Sequence, residues 1–297
     1  MVLNTTRRSP TTQPPALLYV LVALSGAAGL GYELLWIRAL GLHFGTTAPA
    51  ITSVVATFMA GLGVGNWLFG AAADRSERPF ALYQRLELGI AVTGLCVSLL
   101  VLRGGPWLDA LARACEHAGA FAAAARALLL AGLMFVPATL MGGTLPVLSR
   151  AISQHGHAGS TLGLLYACNT LGAIGGALLP DFALIPRYGL TLTAFAAAGC
   201  NVCVVIGMGL LRAWGGLRAA ESSDAAARFA NELAHTAPAA AALQRSLAVV
   251  LSACSGFAAM ALEVLWSRTL QHWTAALVTS FAVLLALNLT ALSVGAL

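Results

Sequence analysis

Apolar stretches of about 20 residues recur along nearly the whole chain and constrain its fold more than any other feature. A helix of that length crosses a hydrocarbon core of roughly 30 Å, because each residue rises about 1.5 Å. The 297 residues are 59% hydrophobic and 9% charged, with a mean hydropathy of +0.84, which excludes an ordinary soluble enzyme. We therefore predict an all-α fold, a polytopic transmembrane helical bundle.

About eight spans are predicted from these stretches. They cover Ala16–Leu42, Ala50–Ala73, Leu82–Leu102, Leu128–Leu148, Thr161–Leu184, Gly189–Leu211, Leu247–Leu270 and Ala275–Leu297. Pro137 and Pro146 both fall in the fourth span, so a bend or break is expected there.

Composition divides the chain into four segments. Residues 1–15 are rich in Ser, Thr and Pro and predict a disordered cytoplasmic tail. Residues 16–211 predict a first bundle of six membrane helices. Residues 212–246 are more hydrophilic and predict a cytoplasmic linker, and residues 247–297 begin a second membrane repeat.

Arginine placement predicts the orientation. All sixteen basic residues are arginine, and with the N-terminus inside, ten lie in cytoplasmic segments and four on the opposite side. Short loops with excess positive charge stay in the cytoplasm. We expect a multi-pass protein of the inner (plasma) membrane with a cytoplasmic N-terminus.

A reporter fusion tests this orientation. We expect a cytoplasm-active reporter to be active when fused after Gln154 and inactive when fused after Asp109, because the arginine bias places these positions on opposite sides. The measurement is reporter activity in intact cells, and the reverse pattern would overturn the orientation.

The sequence contains no pattern that indicates a cofactor, metal or nucleic-acid site. Cys200 and Cys203 form a C-x-x-C, but a second pair and a nearby histidine are missing, so core packing is the favoured interpretation. The arginines are spread over loops rather than gathered in one block, which argues against nucleic-acid binding.

An internal repeat indicates duplication. Ser255–Leu270 aligned with Ser25–Leu40 gives eight identities in sixteen positions, including the Ser-Gly, Glu, Trp and Arg positions. Both copies leave the cytoplasm in the same direction, so the repeat is parallel. Six plus six helices related by an axis along the membrane normal is the plan of the major facilitator superfamily.

The loop after the second span supports this plan. Gly70, Asp74, Arg75 and Arg78 match the G-x-x-x-D-R-x-G-R-R loop of that superfamily, whereas Glu77 departs from it. Such a loop acts either as a conformational latch at the helix ends or as a charged turn that only sets topology.

Four further segments, taken in order, strengthen the resemblance. They are Ser25-Gly26 with Tyr32–Arg38, Phe58–Gly65, Met141–Pro146 and Gly163–Ala173. From about Ser25 onward the chain resembles the membrane portion of the fused major facilitator/spermidine synthase family, the spermidine synthase-like integral membrane proteins.

In that family a transporter-like bundle precedes a soluble aminopropyltransferase-like domain with a Rossmann-type nucleotide site. This sequence has no glycine-rich turn between a strand and a helix, so we predict no catalytic residue and no cofactor for it. The repeat also places the counterpart of Asp74 beyond Leu297, and we therefore expect a truncated second half.

Charged residues inside spans are the first candidates for a substrate site. Glu33, Glu263, Arg38 and Arg268 occupy equivalent positions of the two repeats, and an ionised group there needs a partner or a hydrated cavity. One interpretation is cross-pairing between the first and seventh helices, which would hold the halves together. The other is a substrate or proton site.

Asn169 and Tyr166 share one face of the fifth span and either line the cavity or hydrogen-bond a neighbouring helix. Two glycine pairs with small-x-x-x-small spacing predict close helix packing. They are Gly61 with Gly65, and Gly172 with Gly176.

Two functions follow from the resemblance and the paired acids. In the first, the chain is a transporter-like module of the lipid bilayer that moves or senses a small cationic metabolite such as a polyamine. In the second, it is a non-transporting membrane anchor for an aminopropyltransferase supplied as a synthase domain or as a separate chain.

Overall fold

A computed structural model describes residues 15–44, 48–117, 121–153, 158–214, 240–271 and 277–295. Every regular element in these ranges is a helix, and none is a strand. The predicted tail, apart from residue 15, and most of the predicted linker lie outside the described residues. The helices are α1 (Ala16–Phe44), α2 (Ala48–Asp74), α3 (Pro79–Arg103), α4 (Gly105–His117), α5 (Ala122–Gly142), α6 (Thr144–Ser153), α7 (Ala158–Leu179), α8 (Ile185–Ala213), α9 (Ala240–Gln271) and α10 (Leu277–Gly295).

Among the described residues, five helical stretches are long and apolar enough to cross a membrane. They are Ala16–Phe44, Ile51–Asp74, Pro79–Arg103, Gly132–Ile152 and Thr161–Ala213. The last has 53 residues, well beyond the roughly 20 that one crossing needs. The all-helical class is confirmed, and so is the presence of several membrane-capable helices. The eight-span, major-facilitator-like arrangement stays a prediction.

The long apolar stretch Thr161–Ala213 contains a reversal of chain direction. A π-helical turn, Pro180–Leu184, follows α7, and the backbone of Gly189 has φ 76° and ψ 174°. Only glycine adopts such a positive φ at little cost, so this residue permits the break. The reversal lets α7 and α8 pack on the same helix, α1, as two separate crossings.

Helix directions follow from the residues that meet. Ser25 of α1 bonds Glu87 of α3, and eleven residues later Trp36 bonds Ser98, so α1 and α3 are parallel. Asn201 of α8 bonds the same Glu87. Gln84 precedes Glu87 on α3, whereas its partner Val205 follows Asn201 on α8. Helix α8 is therefore antiparallel to α3 and to α1.

The predicted break in the fourth span lies between α5 and α6, at Gly143. Pro137 is accommodated inside α5, while Pro146 lies in the first turn of α6, where its missing N–H leaves no helical bond unmade. The proline prediction therefore located the interruption to within a few residues.

The short helix α4 was not predicted. It follows α3 directly, and buries Leu108 and Ala112 against the bundle while Trp107 and Leu111 remain more than a third exposed. This two-sided pattern is typical of a helix that lies along the edge of a bundle, at the interface between membrane and water.

The first helix forms the centre of the bundle. Tyr32 and Trp36 stack with ring centroids 5.5 Å apart, and Trp36 packs edge-on against Phe58 of α2. Trp36 is fully buried and its indole N–H donates to Ser98 Oγ at 2.9 Å. Trp36 is therefore part of the packed core of the bundle.

The two last helices differ in their packing. Helix α10 contacts α7 extensively and buries Phe281, Ala282 and Leu285. Helix α9 contacts mainly α10, and its side chains from Leu247 to Ala259 are exposed. The repeat therefore stays a prediction, because α1 and its proposed counterpart α9 have different surroundings.

Candidate functional site

A cavity of about 320 Å³ lies among the first six long helices of the bundle. Glycine and apolar side chains form most of its wall, and none of its lining residues is basic. Polar side chains from five different helices also reach it. They are Ser25 of α1, Asn66 of α2, Thr144 of α6, Asn169 of α7 and Asn201 of α8.

A buried carboxyl group stands directly behind two of these polar residues. Glu87 of α3 is fully buried. Ser25 Oγ donates to its Oε1 at 2.6 Å, and Asn201 Nδ2 donates to its Oε2 at 2.7 Å. Tyr83, one turn earlier on α3, is also hydrogen-bonded to it. Three helices thus hold one acidic group at the cavity wall.

This arrangement fixes the orientation of the Asn201 amide. Because the NH₂ group donates to Glu87, the amide oxygen is directed elsewhere. Asn201 is 1% exposed, and its Oδ1 has no hydrogen-bond partner among the described residues. A buried acceptor without a partner costs about 1–3 kcal/mol, so a donor bound in the cavity would relieve that cost.

The predicted cavity residues fall into two groups. Asn169 lines the cavity, which is one of its two predicted positions. Tyr166, one turn earlier on α7, is 37% exposed and is not one of the lining residues. Glu33 is fully buried on α1 but also lies outside the lining. Glu87 does not line the cavity either, but it bonds two residues that do, Ser25 and Asn201.

Arg38 forms an ion pair inside the bundle. Its guanidinium contacts the carboxylate of Asp181, which is nearly inaccessible, and its Nη2 donates to Thr279 Oγ1 of α10 at 3.3 Å. One of the two interpretations of the sequence pairs the charged residues of α1 with those of α9. Glu263 and Arg268 lie in α9, but their side chains are outside the described part of the structure.

The predicted conformational loop lies at the end of the bundle where α2 ends and α3 begins. Gly70 approaches Pro146 of α6, whereas Asp74, Arg75 and Arg78 are exposed. Its role as a latch stays a prediction. In the part of the chain that the structure describes, no group of three His, Cys, Asp or Glu side chains comes together as a metal site would require.

Sequence reasoning missed Glu87, Asn201 and Asp181. A signal for each was present, because all three are polar residues inside or beside apolar stretches, where such groups are rare and usually functional or paired. The internal repeat instead favours the acids that recur in both copies, Glu33 and Glu263.

Two curated proteins of Ralstonia nicotianae are similar to this chain. Polyamine aminopropyltransferase 1 is 27% identical over 204 residues, which is 66% of this chain and 35% of that protein. Polyamine aminopropyltransferase 2 is 27% identical over 198 residues, 64% of this chain and 34% of that protein. The chain thus spans about a third of the length of these relatives. No protein-family model and no solved structure matches it.

Proposed function

We propose that this chain is a transporter-like membrane module that binds a small cationic metabolite, such as a polyamine, in the cavity between its first six long helices. The observation that carries the proposal is the acceptor set at the cavity wall. Glu87 accepts hydrogen bonds from Ser25 and Asn201, the Oδ1 of Asn201 is an acceptor with no partner among the described residues, and no basic residue lines the cavity.

An ammonium group suits this wall for a simple electrostatic reason. It brings three N–H donors and a positive charge, while Asn201 offers an unused acceptor and Glu87 lies just behind. A volume of about 320 Å³ falls at the lower end of ligand pockets, roughly 300–1,000 Å³, which favours a small solute. The printed names of the two relatives point to the same chemical class, because polyamines carry several ammonium groups.

A second candidate function is a membrane anchor for an aminopropyltransferase. It is favoured by the names of the relatives, which are enzymes, and by the share of their length, about a third, that this chain spans. As an anchor, the chain would contribute membrane-capable helices and the cavity would bind no amine.

Ligand binding separates the two functions. In detergent-purified protein we expect saturable binding of radiolabelled spermidine or putrescine. Glu87→Gln and Asn201→Leu should each weaken it about tenfold or more, because a hydrogen bond to a charged group contributes about 1.5–3 kcal/mol. The measurement is an equilibrium binding isotherm on material that elutes as a single folded species.

The matched control is Glu77→Gln, the same change at an exposed loop residue outside the cavity, which should leave binding unchanged. If Glu87→Gln fails to fold, Asn201→Leu and Asn201→Asp carry the test. Absence of saturable binding to the unmodified protein would refute the amine site and leave the anchor function.

A further inference from the structure

A second, basic cleft lies at the end of the bundle where α3 begins and α8 ends. Its volume is about 500 Å³. Three arginines line it, one from each surrounding segment. They are Arg78 of the loop before α3, Arg85 of α3 and Arg212 of α8. Glu77 is the one acidic residue in the lining, so the cleft keeps a net positive charge.

The floor of this cleft is held by a bridge between two helices. Gln84 Nε2 of α3 donates to the Val205 carbonyl oxygen of α8 at 2.9 Å. Arg212 Nη1 donates back to Gln84 Oε1 at 3.2 Å. Arg212 is therefore positioned by the α3–α8 contact, while the side chains of Arg78 and Arg85 are exposed beside it.

The position of the cleft along the helices indicates what occupies it. Its arginines lie at the end of two apolar spans, where a bilayer has its polar head groups. From there its wall continues along the spans through apolar residues, Leu82, Leu88 and Val205, and Leu88 is 50% exposed. An occupant with an anionic head and an apolar tail matches both parts of the wall.

We propose that this cleft binds one acidic phospholipid, with the lipid phosphate against Arg78, Arg85 and Arg212 and an acyl chain along Leu82, Leu88 and Val205. The guanidinium group of arginine donates two parallel hydrogen bonds to phosphate oxygens, and basic pockets between membrane helices bind anionic lipid head groups. The site is independent of the cavity, because the two share no lining residue.

Lipid binding to the full chain tests the proposal. In neutral detergent, phosphatidylglycerol should raise the midpoint of thermal unfolding, and native mass spectrometry should show one retained phosphatidylglycerol. The double variant Arg78→Gln/Arg85→Gln should weaken this binding about tenfold or more, since it removes two charged contacts. Both arginines are exposed, so the double variant is expected to fold.

Arg103→Gln is the matched control, because Arg103 is exposed at the opposite end of α3 and should not affect the lipid. Phosphatidylcholine and soluble glycerol phosphate complete the design. Equal stabilisation by phosphatidylcholine, or full retention of phosphatidylglycerol by the double variant, would overturn the proposal. An equal effect of glycerol phosphate would assign the cleft to a soluble phosphate instead and would also overturn it.

Discussion

Gly172→Ala is expected to cost about 3 kcal/mol of stability, although it adds one methyl group. Gly172 of α7 crosses α1 so closely that a Cβ atom there would overlap the carbonyl oxygen of Ala23. The α1–α7 pair is the most extensive helix contact among the described residues. Because the obstacle is backbone rather than a flexible side chain, the helices must separate, and the cost falls at the upper end of the usual 1–3 kcal/mol for overpacking. The measurement is the free energy of unfolding in mixed micelles.

Gly175→Ala provides the control on the same helix. A Cβ atom at Gly175 would meet only Leu179 Cδ1, at 4.0 Å, which is ordinary van der Waals contact. Alanine favours a helix over glycine by up to about 1 kcal/mol, so this variant should be neutral or more stable. If the two variants shift stability equally and in the same direction, the α1–α7 crossing is not a determinant of the fold.

The spans were predictable because their signal is local. An uninterrupted apolar run is sufficient to place a membrane-capable helix, and α1 and α3 lie within a few residues of their predicted bounds. Helix α4 gave no such signal, since its apolar residues alternate with polar ones on a short segment. Its position depends on the tertiary contacts that Leu108 and Ala112 make with the core of the bundle.

Close helix packing was predictable at the glycine pairs, but the partner helices were not. All four predicted glycines meet a neighbouring helix at or inside contact distance, which confirms the small-x-x-x-small prediction. They are Gly61, Gly65, Gly172 and Gly176. The sequence shows that one face of a helix carries small residues. The shape of the opposing helix face decides that α2 pairs with α5 and that α1 pairs with α7.

The candidate site was found only in part because the repeat selected the candidates. The repeat favours Glu33 because its counterpart Glu263 recurs, but a charged residue shared by both copies serves either helix pairing or ligand binding. Glu87 lacks that support. Its importance comes from Ser25 and Asn201, which are far from it in the chain and meet it only when three helices assemble. Asn169 was identified because polarity inside an apolar span is visible without a partner.

Arg38→Met is expected to destabilise the protein by about 3–5 kcal/mol. The Arg38 guanidinium is the described charge partner of Asp181, whose side chain is 1% exposed and whose Oδ2 has no hydrogen-bond partner among the described residues. Removing the arginine leaves a buried carboxylate uncompensated, which is far costlier than losing an exposed ion pair. The same variant removes the bond from Arg38 to Thr279, so α10 should also loosen from α1. Unfolding in mixed micelles measures the first effect, and protease sensitivity of residues 277–295 measures the second.

The double variant Arg38→Met/Asp181→Asn separates the buried charge from the loss of packing. If the uncompensated carboxylate causes the damage, neutralising it should recover most of the lost stability, because replacing both members of a buried ion pair is often nearly neutral. Arg187→Met, at an exposed arginine six residues after Asp181, should change little. Recovery of stability without recovery of protease protection at α10 would assign the Thr279 bond a separate role in holding that helix. A double variant as unstable as Arg38→Met alone would show that the guanidinium stabilises the bundle through its packing, and that the charge of Asp181 is not the cause.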